Sequence, residues 1–199
     1  MKEIQLIKGF LSKEVTRDIF DYLLSNIKWH ETLSSLTTGE PVKINRKMAY
    51  VYDKEILYTY ANLYFKGEVW NEKLSFLKDL LNKYEDFNFN SVLLNLYKDG
   101  KDEIKWHSDK EECLGDNPVI GCINLGAKRK FWFRKKDYGS EKFFIEVEDG
   151  DLLIMGENCQ RDYLHAILKE KEILESRISL TFRKVNHDTG SQYKEGSII

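Results

Sequence analysis

The sequence predicts a mainly β protein of the α+β class, and two observations lead to this prediction. Two stretches in the N-terminal half carry apolar residues at helical spacing, and after Asp86 the chain changes to short β-prone runs broken by turn residues. Strands at such spacing are typical of a sandwich, barrel or jelly roll rather than of βαβ units. The chain has 199 residues, of which 42% are apolar. This length is enough for one well-buried hydrophobic core but short for two cores, so we expect one domain.

Both helices are predicted from apolar residues that recur every three or four positions. The first spans residues 11–27, with Ser12 as its N-cap, and the second spans residues 71–86. We expect both helices to pack on one sheet. The polar segment between them, residues 31–53, is expected to form a loop or a hairpin.

The β-prone runs define the rest of the chain. They lie at residues 91–97, 118–126, 130–134, 142–147, 151–155 and 177–183. We therefore expect a core at residues 88–185, with residues 1–87 contributing helices and a substrate-recognition segment to the same domain. The polar residues 186–199 should lie loosely on the surface as a C-terminal tail.

Composition limits the classes of partner and compartment. The formal net charge of -2 gives no overall basic excess, so a nucleic acid would have to contact a local basic patch. Three cysteines without CxxC spacing argue against a disulfide framework and a zinc knuckle. No secretory or membrane-spanning segment is recognisable. We expect an intracellular monomer with no membrane partner, nuclear if the source is eukaryotic and cytoplasmic otherwise.

Three residues form a candidate metal site. His107 and Asp109 stand two positions apart and point to the same side if the backbone there is extended. Together with the distant His165 they could bind one face of an octahedral Fe(II), which would leave three positions open for co-substrate and oxygen. In the alternative interpretation, the His-x-Asp pair is a chance surface dipeptide and His165 a strand histidine with a structural role.

The last predicted strand carries a second candidate site. In RISLTFR, one face presents Arg177, Ser179, Thr181 and Arg183, while the other face is apolar. Buried guanidinium groups need anions, and a dicarboxylate would satisfy this requirement. Asn95 and Tyr97 share a face of SVLLNLY and could reach the same ligand. The alternatives are an edge strand with a solvated polar face and a purely structural Asn95 and Tyr97 pair.

These motifs together resemble the AlkB family of Fe(II)- and 2-oxoglutarate-dependent dioxygenases, especially the branch that repairs alkylated double-stranded DNA. The similarity lies in NSVLLNLYKDGKDEIKWHSDKEE, INLGAKRKFWFRKK, DGDLLIM, His165 and SRISLTFRK, in this order. It covers about residues 88–185 and extends weakly to NRKMAYVYD and ILYTYAN. The resemblance implies a double-stranded β-helix, or jelly roll.

The resemblance also implies a role for individual residues. Fe(II) would be bound by His107, Asp109 and His165. The co-substrate 2-oxoglutarate, which reacts together with O2, would be contacted by Asn95, Tyr97, Arg177, Thr181 and Arg183, with Arg177 on the remote carboxylate. The target base would be contacted by Glu111 and flanked by Tyr58 and Tyr60, with Arg46 and Lys47 near the nucleic acid.

The implied activity is oxidative demethylation of bases such as 1-methyladenine and 3-methylcytosine in DNA, with release of formaldehyde, succinate and CO2. The run KRKFWFRKK, with basic residues around three aromatic ones, could contact phosphates and bases, or could equally be a solvated strand with Phe131 and Phe133 in the core. Where the duplex-repair branch has an apolar finger, this chain has Leu36 and the polar residues 37–40, so single-stranded DNA and RNA stay alternatives to duplex DNA. A protein or small-molecule substrate, and a catalytically inactive nucleic-acid-binding module, are the competing hypotheses.

Overall fold

The computed structural model describes residues 3–35, 41–53, 58–60, 63–65, 68–137 and 141–186, with backbone only for residues 32–35, 41–45, 58–60 and 63–65. The elements in chain order are β1 (Ile4–Ile7), α1 (Lys13–Asn26), β2 (His30–Ser35), β3 (Pro41–Tyr52), β4 (Tyr58–Tyr60), β5 (Leu63–Phe65), α2 (Glu72–Tyr84), β6 (Ser91–Tyr97), β7 (Ile104–His107), β8 (Ile120–Gly126), β9 (Arg129–Lys135), β10 (Lys142–Val147), β11 (Leu152–Met155), α3 (Cys159–Asp162), β12 (Tyr163–Ile167) and β13 (Arg177–Arg183).

Two antiparallel sheets form the body of the fold. The large sheet has the strand order β1-β11-β8-β13-β6-β3-β2, and the small sheet has the order β10-β9-β12-β7. Strands β4 and β5 form a separate two-stranded hairpin. Sequence neighbours are often separated within the large sheet, as in a jelly roll, where the chain alternates between sheets. The predicted jelly-roll fold of the α+β class is confirmed.

The two helices cover the outer face of the large sheet. Helix α1 begins at its predicted N-cap, because Ser12 Oγ accepts from the Val15 amide, and α2 begins after Asn71, whose Oδ1 accepts from the Leu74 amide at 3.0 Å. Their buried faces meet apolar side chains of the large sheet in one cluster, which includes Leu23, Leu77, Leu94, Ile123 and Leu180. The prediction that the helices pack on one sheet is therefore confirmed.

A second core cluster lies between the two sheets. Because successive strand residues point to opposite faces, Ile123 faces the helices while its neighbour Cys122 belongs to the inter-sheet cluster. Phe131 and Phe133 of β9 are 5% and 0% exposed in this cluster, so the run KRKFWFRKK forms a strand with those two rings in the core. Arg129 is also buried, and its Nε donates to Glu170 at 3.1 Å.

The segment at residues 31–53, expected as a loop or a hairpin, contains the antiparallel pair of β2 and β3, and β3 continues beside β6. Other strands were not expected from the sequence. Strands β1, β7 and β12 are additional, and β1 pairs with β11 in the large sheet. Residues 187–199 of the expected tail and residues 36–40 lie outside the described residues. No helix in the described part of the chain is long and apolar enough to cross a membrane.

Candidate metal centre and its cavity

The small sheet brings the three candidate metal ligands together. Strands β7 and β12 are neighbours, and His107 and His165 are directly paired in their register. The nitrogen and carboxylate oxygen atoms that could bind a metal all lie within 4.8 Å of one another. The Oδ1 atom of Asp109 is 3.7 Å from His107 Nε2 and 3.9 Å from His165 Nε2. Two imidazoles and one carboxylate thus face a common point.

Asp109 is held firmly in this arrangement. Its Oδ2 atom accepts from Arg183 Nε at 2.9 Å and Nη2 at 2.6 Å, and its backbone amide donates to Gln160 Oε1 at 2.9 Å. Its buried Oδ1 atom has no hydrogen-bond partner among the residues that the structure describes. Burial opposes ionisation, but the charge and hydrogen bonds of Arg183, together with the two histidines, outweigh it and the pKa of Asp109 falls to about 2. An ionised carboxylate oxygen is therefore directed at the histidines.

The protonation states of both histidines suit metal binding. Desolvation lowers the pKa of His107, and it lowers the pKa of His165 to about 3, so both rings are neutral at pH 7. His107 Nδ1 lies 2.7 Å from the Lys105 carbonyl and donates to it in the tautomer that leaves the Nε2 lone pair facing Asp109. Neutral imidazoles and an ionised carboxylate are the ligand set of a non-haem Fe(II) site. The residues present fit iron(II).

A cavity extends from the metal centre between the two sheets. The large sheet contributes polar lining from Asn95, Tyr97, Ser179, Thr181 and Arg183, and the small sheet contributes the two histidines. All seven residues of β13 are buried, and the strand lies between β6 and β8. The alternative of an edge strand with a solvated polar face is thereby excluded. The polar face of β13 lines an enclosed site.

Arg177 has the properties of an anion-binding residue. It is 1% exposed, its Nε donates to Asn124 Oδ1, and its Cζ lies 5.0 Å from the ring centre of Tyr97. Its Nη1 and Nη2 atoms are buried and lack a hydrogen-bond partner within the described ranges. Burying a guanidinium group with two unpaired nitrogen donors costs much free energy unless an anion binds it. A carboxylate matches this fork geometrically.

Two predicted contact residues have partners that the sequence did not indicate. Arg183, expected on 2-oxoglutarate, binds Asp109 Oδ2 and so orients a metal ligand. Arg46, expected near the nucleic acid, is 4% exposed, and its Nε donates to Asn95 Oδ1 at 2.9 Å. Arg46 therefore orients Asn95 from inside the site, whereas its neighbour Lys47 is exposed and available to an external ligand.

The predicted base-contacting residues lie on other elements. Tyr58 and Tyr60 are on β4, where Tyr58 pairs with Phe65 of β5, and their side chains are outside the described part of the chain. Glu111 follows the metal ligands and is partly buried. Its charge raises the pKa of Cys113, an effect second to desolvation, so the two side chains are close in space. The contacts predicted for Tyr58, Tyr60, Glu111 and Lys47 stay predictions.

Sequence reasoning missed three residues that shape the site. Asn124 orients Arg177, Gln160 binds the Asp109 amide, and Cys122 Sγ lies 3.2 Å from Ser179 Oγ on the cavity wall. Asn124 could have been found because it is a polar residue inside the apolar run of β8, on the same face as Cys122. Gln160 lies on the four-residue helix α3 and carries no pattern signal.

Comparison with known proteins agrees with this geometry. The family model described as the 2OG-Fe(II) oxygenase superfamily matches residues 3–183. The alpha-ketoglutarate-dependent dioxygenase alkB homolog 3 of Bos taurus is 33% identical over 199 residues, covering 94% of this chain and 68% of the relative. The chain belongs to the AlkB family of 2OG-Fe(II) oxygenases. The family uses iron(II) and 2-oxoglutarate, and the triad and Arg177 of this AlkB-family dioxygenase fit these two groups.

Two further similarities extend the comparison. The DNA oxidative demethylase ALKBH2 of Bos taurus is 31% identical to this AlkB-family chain over 165 residues, covering 79% of the chain and 55% of the relative. The solved structure of OsALKBH1 matches with a TM-score of 0.65 at 19% identity, covering 92% of this chain and 99% of that one. The structural match supports the fold.

Proposed function

We propose that this AlkB-family dioxygenase removes N-linked methyl groups from nucleobases, with 1-methyladenine and 3-methylcytosine in DNA as substrates. The observation that carries the proposal is a His-Asp-His centre in a cavity whose lining residue Tyr97 contacts Arg177, a buried arginine with two unpaired nitrogen donors among the described residues. A 31% identical relative is named a DNA oxidative demethylase, which favours a nucleobase over a protein side chain or small molecule.

Each residue of the site has a defined task in this proposal. His107, Asp109 and His165 hold iron(II), and Arg177 takes the remote carboxylate of 2-oxoglutarate, with Asn124 fixing the guanidinium. Bound iron and 2-oxoglutarate would supply the chemistry in which O2 is the oxidant: one oxygen atom would enter the N-methyl group to give a hydroxymethyl group, and the other would enter succinate as CO2 is released. The hydroxymethyl carbon then leaves as formaldehyde, and the base is restored.

The position of Glu111 suits recognition of an alkylated base. Methylation at N1 of adenine or N3 of cytosine gives the ring a positive charge, which a nearby carboxylate attracts. A base inside a duplex cannot reach the iron, so the target must be flipped out or presented in a single strand. Tyr58 and Tyr60 are proposed to stack on the base, and Lys47 to contact the backbone.

The test is demethylation of defined oligonucleotides. Protein loaded anaerobically with Fe(II) and 2-oxoglutarate is mixed with air and with single-stranded DNA, duplex DNA or RNA that carries one 1-methyladenine or 3-methylcytosine. Mass spectrometry is expected to show loss of one methylene mass, dependent on both additions, in at least one DNA form. Loss only in RNA would move the substrate class to RNA. Succinate formation without loss in any strand would refute nucleobase demethylation and leave the dioxygenase assignment intact.

A further inference from the structure

The small sheet has a second face, which points away from the metal centre. Since Phe131 and Phe133 point into the core, the alternate residues of β9 point outward, and so do the residues of β10 that pair with them. We define the outer aromatic–basic face by six side chains: Trp106, Lys130, Trp132, Arg134, Lys142 and Phe144. The metal centre uses none of these side chains.

Aromatic rings and cations alternate on this face in direct contact. The rings of Trp132 and Phe144 are 4.9 Å apart, and Lys130 Nζ lies 5.2 Å from the ring centre of Phe144. Arg134 Cζ lies 4.7 Å and Lys142 Nζ 5.8 Å from the ring of Trp106. Phe144 is 43% exposed, so its ring is accessible to a ligand on this face. The face presents flat rings and positive charge side by side.

Two of the cations have no counter-charge among the residues that the structure describes. Arg134 and Lys142 are directly opposite each other in the β9–β10 register, and like charges in this position destabilise a sheet. Neither forms an ion pair with any residue in the described part of the chain, whereas Lys130 lies 3.8 Å from Glu170 and directly opposite Glu146, the acidic residue at the other end of the face. The charge pattern of the face is therefore suited to an external anion.

The face begins next to the metal centre. Trp106 precedes His107 on β7, and adjacent strand residues point to opposite sides of the sheet. Strand β7 is the edge of the small sheet, so a chain leaving the metal site could pass over this edge directly onto Trp106. The face then extends across three strand spacings to β10, about 14 Å at the usual spacing of strands. This length accommodates a few nucleotides.

We propose that the outer aromatic–basic face binds the single-stranded nucleic acid that flanks the target base. Arg134 and Lys142 contact phosphates, and Trp132 and Phe144 stack with bases, which is how proteins bind single strands without reading their sequence. The inference rests on the proposed nucleobase substrate. It adds a binding surface outside the catalytic cavity, and it predicts better turnover of strands that are long enough to reach this surface.

The first test measures binding of an unmethylated, fluorescently labelled single strand of about 16 nucleotides by anisotropy at several salt concentrations. The double variant Arg134→Gln/Lys142→Gln is compared with Arg17→Gln/Lys101→Gln, which removes the same charge from two exposed positions outside the face. We expect about tenfold weaker binding for the first variant only. Its plot of log affinity against log salt should be shallower by about 1.4, the value for two lost phosphate contacts.

A second pair of variants separates stacking from charge. Phe144→Ala removes a ring from the face, and Phe76→Ala removes a ring of similar exposure, 49%, from α2. We expect about tenfold weaker strand binding for Phe144→Ala and no change for Phe76→Ala. Equal affinity of the face variants and their controls would overturn the inference. Equally effective displacement of the strand by polyglutamate would also overturn it, because the face would then recognise negative charge alone.

The inference and the proposed function fail in different ways. The strand-binding assay uses unmethylated DNA and needs no turnover, so it is independent of activity. If the face variants lose strand binding and the wild-type protein demethylates no strand, the face is supported and the proposed activity is refuted. Demethylation by the wild-type protein, together with unaltered strand binding by the face variants, supports the proposed activity and refutes the face. If both hold, the face variants should raise the KM for a long methylated strand and leave turnover of a methylated mononucleotide unchanged.

Discussion

At the scale of single residues, Asp109 shows how the site is organised around one oxygen atom. Arg183 occupies Oδ2 and Gln160 binds the backbone amide, so rotation of the carboxylate is restricted and Oδ1 is directed at the histidines. Contacts of this kind behind a metal ligand commonly affect metal affinity by about 10- to 100-fold. The protein's own contacts therefore orient the Asp109 carboxylate for metal binding.

Replacement of Arg183 tests this role. Arg183→Lys keeps the charge but loses the two-point contact with Asp109, and we expect it to weaken metal binding about tenfold. Titration calorimetry with Mn(II), which avoids oxidation during the measurement, gives the affinity. Arg161→Lys is the control, because Arg161 is an exposed arginine whose ion pair, among the residues that the structure describes, is with its neighbour Asp162. Unchanged Mn(II) affinity in Arg183→Lys would contradict the positioning role.

Replacement of Arg177 tests the co-substrate site. Arg177→Met removes the guanidinium, and we expect the KM for 2-oxoglutarate to rise at least about tenfold. The melting temperature should change little or rise, since an unpaired buried charge is replaced by an apolar side chain of similar length. Succinate formation is measured against 2-oxoglutarate concentration. An unchanged KM would remove Arg177 from the carboxylate site.

Residue types and strand faces could be predicted, but contact partners could not. Alternation in RISLTFR predicted one polar face, and in the structure Ser179, Thr181 and Arg183 line the cavity while Arg177 contacts its lining residue Tyr97. It could not show that one guanidinium points at Asn124 and the other at Asp109, because partners depend on how two sheets pack. The same limit applies to Arg46, whose sequence context resembles a surface pair although the side chain is buried.

At the scale of elements, the strands that carry the two histidine ligands were not predicted from the sequence. Strand β7 has only four residues, and in β12 the apolar pattern is interrupted by His165. Helix α1 and helix α2 were predictable because caps and apolar spacing are local signals. Pairing of β1 with β11 joins residues about 150 positions apart in sequence, and no local pattern reports it.

Helix α2 offers a direct test of the packing on the large sheet. Leu77 is 0% exposed in the core cluster, while the preceding Phe76 is 49% exposed. Leu77→Ala should lower the free energy of unfolding by about 2–5 kcal/mol, and Phe76→Ala by less than about 0.5 kcal/mol. Urea denaturation followed by circular dichroism measures both. Similar losses in the two variants would mean that the helix is packed differently.

At the scale of the whole molecule, one jelly roll combines structural and catalytic parts from the entire described chain. The N-terminal 87 residues supply β1, β2 and β3 to the large sheet as well as the two covering helices. The cavity lies between this sheet and the small sheet, so the residues predicted to contact 2-oxoglutarate and the two histidines lie on opposite walls.

The most direct test of the central claim is the ratio of formaldehyde to succinate produced from a methylated strand. The wild-type protein, loaded with Fe(II), is given 2-oxoglutarate, air and an oligonucleotide containing 1-methyladenine, and both products are quantified over time. Equal amounts of the two products, with neither formed by His107→Ala, are the predicted result. Succinate without formaldehyde from any methylated strand would contradict nucleobase demethylation, and full activity in His107→Ala would contradict the metal centre itself.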